Sequence, residues 1–563
     1  MIFSCDTETT GLDPFKGAKP FAITTCDMDG NTKYIAIGED DLTWVDISLL
    51  SDANEVVFHN AKFDILMLGT YGMTVGATIH DTMLMAAIYN SDEDTLKLKE
   101  LAKKYLGVDN EEEEAVKDYM RKNKCDSYSQ VPREIIEPYA IKDAVITLDL
   151  FKFYREKGIT RDPIYLKEMR LLRCLVAMQK RGVLIDTDFC KKESKSCGKR
   201  IKEIEKEIKE NHKGINVNSS KQLAEYLFDD QGLQCDYLTE KGNAAFDEFH
   251  LSKYNHPIVP LIIELRDLQK IKTTYLDALQ ESADEDKQIH CDFFQVGART
   301  GRFSCRSPNL QNVPRSGTVD VRRAFICRSG YSNYYFDYSQ IELRILAHYS
   351  QEPLMLEEYN KTDNDLHSVT CQAVFGEVTK EKRTLSKNIN FGIIYGMGPK
   401  KFCTMVNEQY PHFNMTYTQA REFINKYYAT YQKVRTFTWR VPQKILDVGY
   451  VTDVFGRKYT TPRDEAYKGV NYLIQGCAAG IIKKAMIEID QLLLDKKSNI
   501  LLTIHDELVI EIHKEEEDLV PQIVRIMEDR TTFRVPITIN VEKTTTSWAE
   551  KESVPLESPT VSA

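Results

Sequence analysis

No apolar run in these 563 residues approaches membrane-spanning length, and the opening MIFSCDTETTG lacks the basic region and apolar core of an export signal. No membrane partner is expected. Cys-x-x-Cys pairs are missing as well. The thirteen cysteines are scattered and odd in number, which argues against a zinc site or a disulfide framework and for a reducing compartment such as cytoplasm. Positive charge is in short supply: the formal charge is −11, so any contact with a polyanion must come from local basic surfaces. What remains, 42% hydrophobic and 28% charged residues, is an ordinary globular composition, long enough for two to four domains.

The stretch NYYFDYSQIELRILAHY, residues 333–349, organises the reading. Tyr334, Tyr335 and Phe336 are strand formers ending at Asp337, and from Gln340 the apolar period becomes helical, with Ile341, Leu343, Ile345, Leu346 and Tyr349 able to form one buried stripe. An acid between strand and helix sits where a cleft can open around a divalent metal, and buried unpaired it would cost several kcal/mol. The same position also suits a helix cap, and this segment alone leaves both readings open.

Near the start, Asp6 and Glu8 are two residues apart on a short strand, so their carboxylates face one side and repel unless a cation lies between them. A second strand runs into HNAKFD, which ends at Asp64, and a later helix carries Tyr139 and Asp143 one turn apart. Four carboxylates for two magnesium ions and a tyrosine to hold the attacking water are what two-metal phosphodiester hydrolysis needs. Each piece alone also reads as chance or as a helix cap. The acidic run at 109–114 reads as a solvated loop.

Residues 160–295 read as helical. A Lys/Glu-rich helix at 191–210 has a narrow seam of Ile201, Ile204 and Ile208, and a helix at 257–279 carries Arg266, Lys270 and Lys272, a face that suits either solvent or a phosphate backbone. The segment GARTGRFS, followed by SPNLQNVP, combines Arg302 with the amides Asn309, Gln311 and Asn312; it reads as a polar loop or as a surface reaching base edges. From about residue 381 a helix puts Arg383, Lys387, Phe391 and Tyr395 on one face, four residues apart. Cations for a triphosphate precede rings for a sugar or base plane. A later helix has Asn471 and Gln475 one turn apart, and two apolar strands flank His505-Asp506-Glu507 as a hairpin with an acid at its tip. Asp506 paired with Asp337 would supply both ligands of a two-metal nucleotidyl-transfer site.

DYSQIELR (337–344), R-x3-K-x3-FG-x2-YG (383–396) and HDE (505–507) are similar to the three polymerase motifs of family A DNA polymerases. TGRFS…PNLQNVP and the Gln475 helix add two matching blocks, and the Asp6/Glu8, Asp64 and Tyr139/Asp143 set resembles the DEDD-type 3′→5′ exonucleases of the tyrosine subclass. The resemblance implies an α/β multidomain chain. An RNase H-like exonuclease domain (1–160) precedes a right-hand polymerase with thumb (161–295), palm (296–350 and 450–550) and fingers (351–449), and a disordered tail (551–563).

The same resemblance implies roles. Asp337, Tyr338 and Asp506 would hold two Mg2+, Asp6, Glu8, Asp64 and Asp143 two more, with Mn2+ as a substitute. Glu507 would support the metal site and Lys387 assist catalysis. Arg383, Lys387 and His367 would contact the triphosphate, while Phe391, Tyr395 and Gln340 would border the incoming nucleotide. Glu342 would be the gate that excludes a 2′-hydroxyl; Arg302, Asn309, Gln311, Asn312, Asn471, Gln475 and His505 would touch DNA. Phe391 in place of tyrosine implies discrimination against dideoxynucleotides.

Expected partners are primer–template DNA and dNTPs, with helicase–primase and single-strand binding protein as replisome candidates, for a monomer in the host cytoplasm or nucleoid. Four departures stand out: no 5′-nuclease domain before the first motif, a thumb without a large insertion, Tyr467 where the family has a template-contacting arginine, and a tail without counterpart. So lean a chain suits bacteriophage or prophage DNA replication. Rival readings are a single-subunit RNA polymerase, opposed by Glu342 and the nuclease motifs; a catalytically silent accessory subunit, opposed by Asp337 and Asp506; and a nuclease whose second half only clamps DNA.

Overall fold

The computed structural model describes residues 1–38, 54–109, 111–239, 241–315 and 317–556. Its N-terminal part is built on a five-stranded sheet of β1 (Ile2–Thr9), β2 (Pro20–Asp27), β3 (Thr32–Ala36), β4 (Glu55–Phe58) and β5 (Thr78–Asp81). The strand order is β3-β2-β1-β4-β5, with β1 antiparallel to β2 and parallel to β4. The central strand β1 is apolar where it is covered on both faces, at Phe3 and Cys5, and turns acidic only towards its exit.

Helices α1 (Ala61–Gly69), α2 (Leu98–Leu106), α3 (Glu111–Asn123) and α4 (Arg133–Glu156) pack around that sheet. The acidic run expected as a loop instead opens α3. Glu111 to Glu114 fill its first turn, where carboxylates complement the helix dipole, and Val116 is buried beneath them. Among the described residues no helix is long and apolar enough to cross a membrane.

Asp162 caps α5 (Pro163–Arg181), with proline at its first turn and Gly182 at φ 61° just past its end. The charged segment follows as α6 (Thr187–Asn211), with Ile204 and Ile208 as its buried seam. Beyond it, α7 (Ile258–Lys270) continues through a wider-wound turn over Ile271–Asp277. Of the three basic side chains on that face, Lys270 is exposed and the other two are engaged within the protein. Arg266 donates to the carbonyls of Phe246 and Val217, the latter at 2.6 Å, and Lys272 pairs with Asp277 at 2.5 Å.

The C-terminal half has its own five-stranded sheet: β6 (Tyr331–Tyr338), β7 (Asn499–Ile504), β8 (Glu507–His513), β9 (Ile539–Thr544) and β10 (Glu552–Ser553), in the order β7-β8-β6-β9-β10. Every hydrogen-bonded pair is antiparallel. Helix α8 (Ile341–Ser350) leaves the end of β6, and α11 (Gly469–Leu492) lies against it; between them in sequence come α9 (Leu366–Phe375) and α10 (Lys380–Ile394). The stripe read on α8 is wider than expected, since Arg344 is buried too, held by the carbonyls of Ser339 and Pro536.

The expected disordered tail also differs from what is found. Its first residues add β10 to the sheet edge, pairing Glu552 with Lys543 and Ser553 with Glu542, because an open edge offers unpaired backbone groups. Residues 557–563 lie outside the described set.

Candidate active sites

In the N-terminal sheet, α4 is tied down by two hydroxyls that donate to its backbone: Ser4 to the Ala144 carbonyl at 2.6 Å and Thr24 to that of Ala140 at 3.1 Å. These bonds set Tyr139 and Asp143 over the exit of β1. Thr7 fixes the opposite wall. Its backbone N–H and hydroxyl donate to Asp64 Oδ1 at 3.1 and 2.7 Å, locking α1 onto β1. Asp81 positions the start of α1 by accepting from the backbone N–H groups of Asn60 and Ala61 at 3.0 and 2.9 Å, while it also caps the helix Thr82–Tyr89.

The four acids are thereby gathered. Burial raises the Asp6 pKa to about 6, and burial together with the Asp6 charge raises that of Glu8 to about 8; the Asp64 carboxyl is also pushed up, by burial and then Asp6. The Tyr139 ring is buried, edge-on to Tyr128 at 5.7 Å between centroids. One neighbour was not foreseen from the sequence. Lys99, on α2, places its ammonium against Asp143 Oδ1 and 4.6 Å from the Tyr139 ring centroid.

In the second sheet, Asp337 ends β6 directly opposite Glu507 on β8, and Asp506 sits in the two-residue turn between β7 and β8, with His505 at φ 55°. The Tyr338 N–H donates to the Asp506 carbonyl at 3.1 Å, joining strand end to turn. Asp337 is exposed, yet surrounding protein, then Glu507 and Asp506, raise its pKa to about 6. Asp506 Oδ1 is buried without a hydrogen bond, and Arg302 Nη2 stands 3.8 Å away. Asp337 does not cap α8: Gln340 occupies that position at φ 50°.

A polar chain runs outward from these acids. Arg302 Nη2 donates to Glu342 Oε1 at 2.5 Å; the Tyr395 hydroxyl donates to Glu342 Oε2 at 3.1 Å and accepts from Gln475 Nε2 at 3.0 Å. Burial raises the Glu342 pKa, and Arg302 opposes it. On α10, Arg383 and Lys387 are exposed and Phe391 is half-buried, while Tyr395 caps the helix end, so the expected face exists. Arg383 is held bidentately by Asp365, both contacts at 2.9 Å, whereas Lys387 has no ion-pair partner among the described residues. His367 is buried against Asn390 at 3.0 Å, and burial lowers its pKa to about 4.

A hard divalent cation suits both donor sets, which are oxygens only. The raised acids, and the orphaned Asp506 oxygen, fit such an ion. Among the described residues no three His, Cys, Asp or Glu already close around one point as a preformed cage.

A profile described as DNA polymerase family A matches residues 187–550. The chain belongs to DNA polymerase family A. A second profile, 3′-5′ exonuclease, matches residues 2–158, so an exonuclease domain precedes the polymerase domain, and both families generally use divalent metals. DNA polymerase I of Synechocystis sp. is 33% identical over 599 aligned residues, covering 97% of this chain and 59% of that protein. DNA polymerase I of Helicobacter pylori strain J99 is 32% identical, covering 82% and 51%. The chain thus spans between half and three fifths of these bacterial relatives. Among solved structures, the POL domain of Pol1 from M. smegmatis, in complex with DNA primer-template and dNTP, superposes with a TM-score of 0.82 at 27% identity, over 97% of this chain and 95% of that one.

Several residues read as ligand contacts also make bonds within the protein, and Asn309 and Asn312 stay exposed. Gln340 accepts from the Tyr359 hydroxyl at 3.1 Å. Asn309 caps the short turn Leu310–Asn312, and Gln311 donates to the Thr503 carbonyl at 3.1 Å, bracing the strand that leads to the acidic hairpin. The Asn312 carbonyl accepts from Tyr275 at 2.8 Å. The Tyr338 ring is buried, leaving only its backbone for the cleft. Asn471 does keep a buried amide oxygen without a partner, and His505 is exposed. Lys551 was missed altogether: its ammonium donates to Glu507 at 2.9 Å and to Glu542 at 3.2 Å, and lies 3.8 Å from the Tyr335 ring centroid.

Proposed function

We propose that this chain extends a DNA primer on a template strand by nucleotidyl transfer at Asp337 and Asp506, and removes mispaired 3′ ends at Asp6, Glu8, Asp64 and Asp143. The convergence of Asp337, Asp506 and Glu507, with Asp506 Oδ1 left without a hydrogen bond, carries the polymerase assignment. Two Mg2+, held by Asp337, Asp506 and the Tyr338 backbone, would supply Lewis acidity for the primer 3′-hydroxyl and charge neutralisation for the triphosphate. The protein's own groups orient the reactants. Lys387, exposed and unpaired, faces the triphosphate, and Arg383 joins it by exchanging Asp365 for phosphate oxygens.

Phe391 and Tyr395 border the nucleotide, and Glu342, fixed by Arg302 and Tyr395, blocks a 2′-hydroxyl. Gln475 and Asn471 face the DNA minor groove and template. In this reading residues 161–295 form the thumb, 296–350 and 450–550 the palm, and 351–449 the fingers. The complex formed by the M. smegmatis relative supports primer–template and dNTP as ligands.

At the nuclease site, Tyr139 would orient the attacking water towards the scissile phosphate, with two further Mg2+ on the four acids. A labelled primer–template incubated with Mg2+, with and without dNTPs, tests both halves. Extension with dNTPs and 3′ shortening without them are expected. Shortening alone would leave a nuclease with a DNA-clamping second half.

A further inference from the structure

Lys99 stands where a cation is needed in the nuclease site. Its helix cannot turn it elsewhere, because Leu101 and Ala102, both fully buried, fix α2 against α4, the helix of Tyr139 and Asp143. Its side chain is 13% exposed and that of Asp143 9%, so their contact is shielded from water. Asp6 and Glu8 on β1 and Glu112 and Glu113 on α3 act on Lys99 electrostatically, and the Tyr139 ring presents its face to the ammonium. In the polymerase site the nearest cations are more loosely placed: among the described residues Arg302 pairs with Asp506 only at 3.8 Å, and Lys551 is bound to Glu507 and Glu542, not to Asp337 or Asp506.

Resting on the nuclease reading above, we propose that Lys99 is a positioning residue of the exonuclease, a tethered ammonium that occupies the cation position beside Asp143 and Tyr139 and must give up Asp143 when a divalent metal binds. It keeps like charges gathered in the metal-free protein, where their repulsion would otherwise push α1, β1 and α4 apart. It also competes with metal for Asp143. Removal of the ammonium therefore has two opposite effects: metal binds more tightly, and the metal-free protein becomes less stable. A lysine that merely packed would weaken stability without tightening metal binding, and one that helped to hold metal-bound DNA would leave the metal affinity itself unmoved.

The test uses the full chain carrying Asp337→Asn and Asp506→Asn, so that Mn2+ titrated by calorimetry without DNA reports the nuclease acids alone. In that background Lys99→Met, of similar length but uncharged, is expected to bind Mn2+ about fivefold or more tightly, as coupling between two competing ligands of one site predicts. Its Tm in EDTA should be lower than that of the parent. Lys99→Gln should move affinity the same way, and Lys99→Arg, which keeps the charge, should leave it near the parent value. Unchanged or weaker Mn2+ binding in both neutral variants overturns the proposal. Asp6→Asn added to the parent is expected to abolish the isotherm; binding that survives it would overturn the nuclease assignment itself.

Discussion

In the nuclease half the acids come from one strand and two helices, are walled in by protein, and have a lysine among them. In the palm the acids come from a strand end and a hairpin turn, Asp337 is exposed, and the nearby cations bond to neighbouring acids, Arg302 to Glu342 and Lys551 to Glu507. Under the proposed function this difference suits what each site would admit, a single 3′ terminus at the buried acids and a duplex end with a triphosphate at the exposed ones. Both sites keep a buried carboxylate oxygen without a hydrogen bond, Asp143 Oδ1 in the first and Asp506 Oδ1 in the second. Burial is the leading cause of the raised carboxyls in both sites, and mutual repulsion adds to it in both.

The strongest way to break this comparison is to silence one site at a time. Asp506→Asn should lower extension by about a thousandfold, the scale of losing several kcal/mol of metal-assisted stabilisation, and leave 3′ shortening intact. Glu8→Gln should do the reverse. Single-turnover rates on one labelled substrate measure both, and loss of both activities in either variant would mean that the sites are not independent.

Asp6, Glu8, Asp143, Asp506 and Glu507 were legible because their information is local. Asp6 and Glu8 share a strand face by alternation, Asp143 and Tyr139 share a helix face by one turn, and His505-Asp506-Glu507 breaks two apolar runs. For Gln340, Asn309 and Gln311 the motif does not show that each also makes a bond within the protein, to Tyr359, in a cap and to the Thr503 carbonyl. Lys99, Lys551 and Asp81 received no role from the sequence, because each acts on a segment distant in sequence. The tail was misread because its low hydrophobicity suits disorder, whereas β10 is held by backbone pairing to an edge that only the folded sheet supplies.

A second test sharpens the palm side. Glu342→Ala removes the carboxylate shared by Arg302 and Tyr395. Discrimination between dNTP and rNTP, measured as the ratio of kcat/KM values, should fall about a hundredfold, with a smaller drop in dNTP incorporation because both partners lose their anchor. Unaltered sugar selection would remove the gate from Glu342 and leave it only the role of holding Arg302 and Tyr395.

The buried side is sharpened by pH. The Glu8 carboxyl titrates near 4.5 when unfolded and at about 8 when folded, and that of Asp6 moves from 3.8 to about 6. Between these limits the folded protein holds protons that the unfolded chain has lost, so their contribution to stability is full below about pH 4 and declines as pH rises to 8. Glu8→Gln mimics the protonated acid. Its Tm in EDTA should match the parent near pH 4.5 and exceed it increasingly up to pH 8, and Mg2+, which requires the ionised acids, should narrow the gap. A gap independent of pH would show that Glu8 is ionised throughout.

The smallest effect belongs to Lys551, on the rim of the open site. Its ammonium is as shielded as that of Lys99 and sits between the largely buried Glu507 and the more exposed Glu542, but it touches neither Asp337 nor Asp506, and Asp337 feels it only through space. Lys551→Met should slow extension about threefold, as loss of a through-space contribution, leave 3′ shortening untouched, and be rescued by Lys551→Arg. Truncation after Glu550 removes β10 as well as the lysine. Equal slowing in the truncated protein and in Lys551→Met would mean that the strand serves to carry the charge; a larger loss on truncation would mean that the sheet edge itself holds β9, and through β9 the register of Asp337.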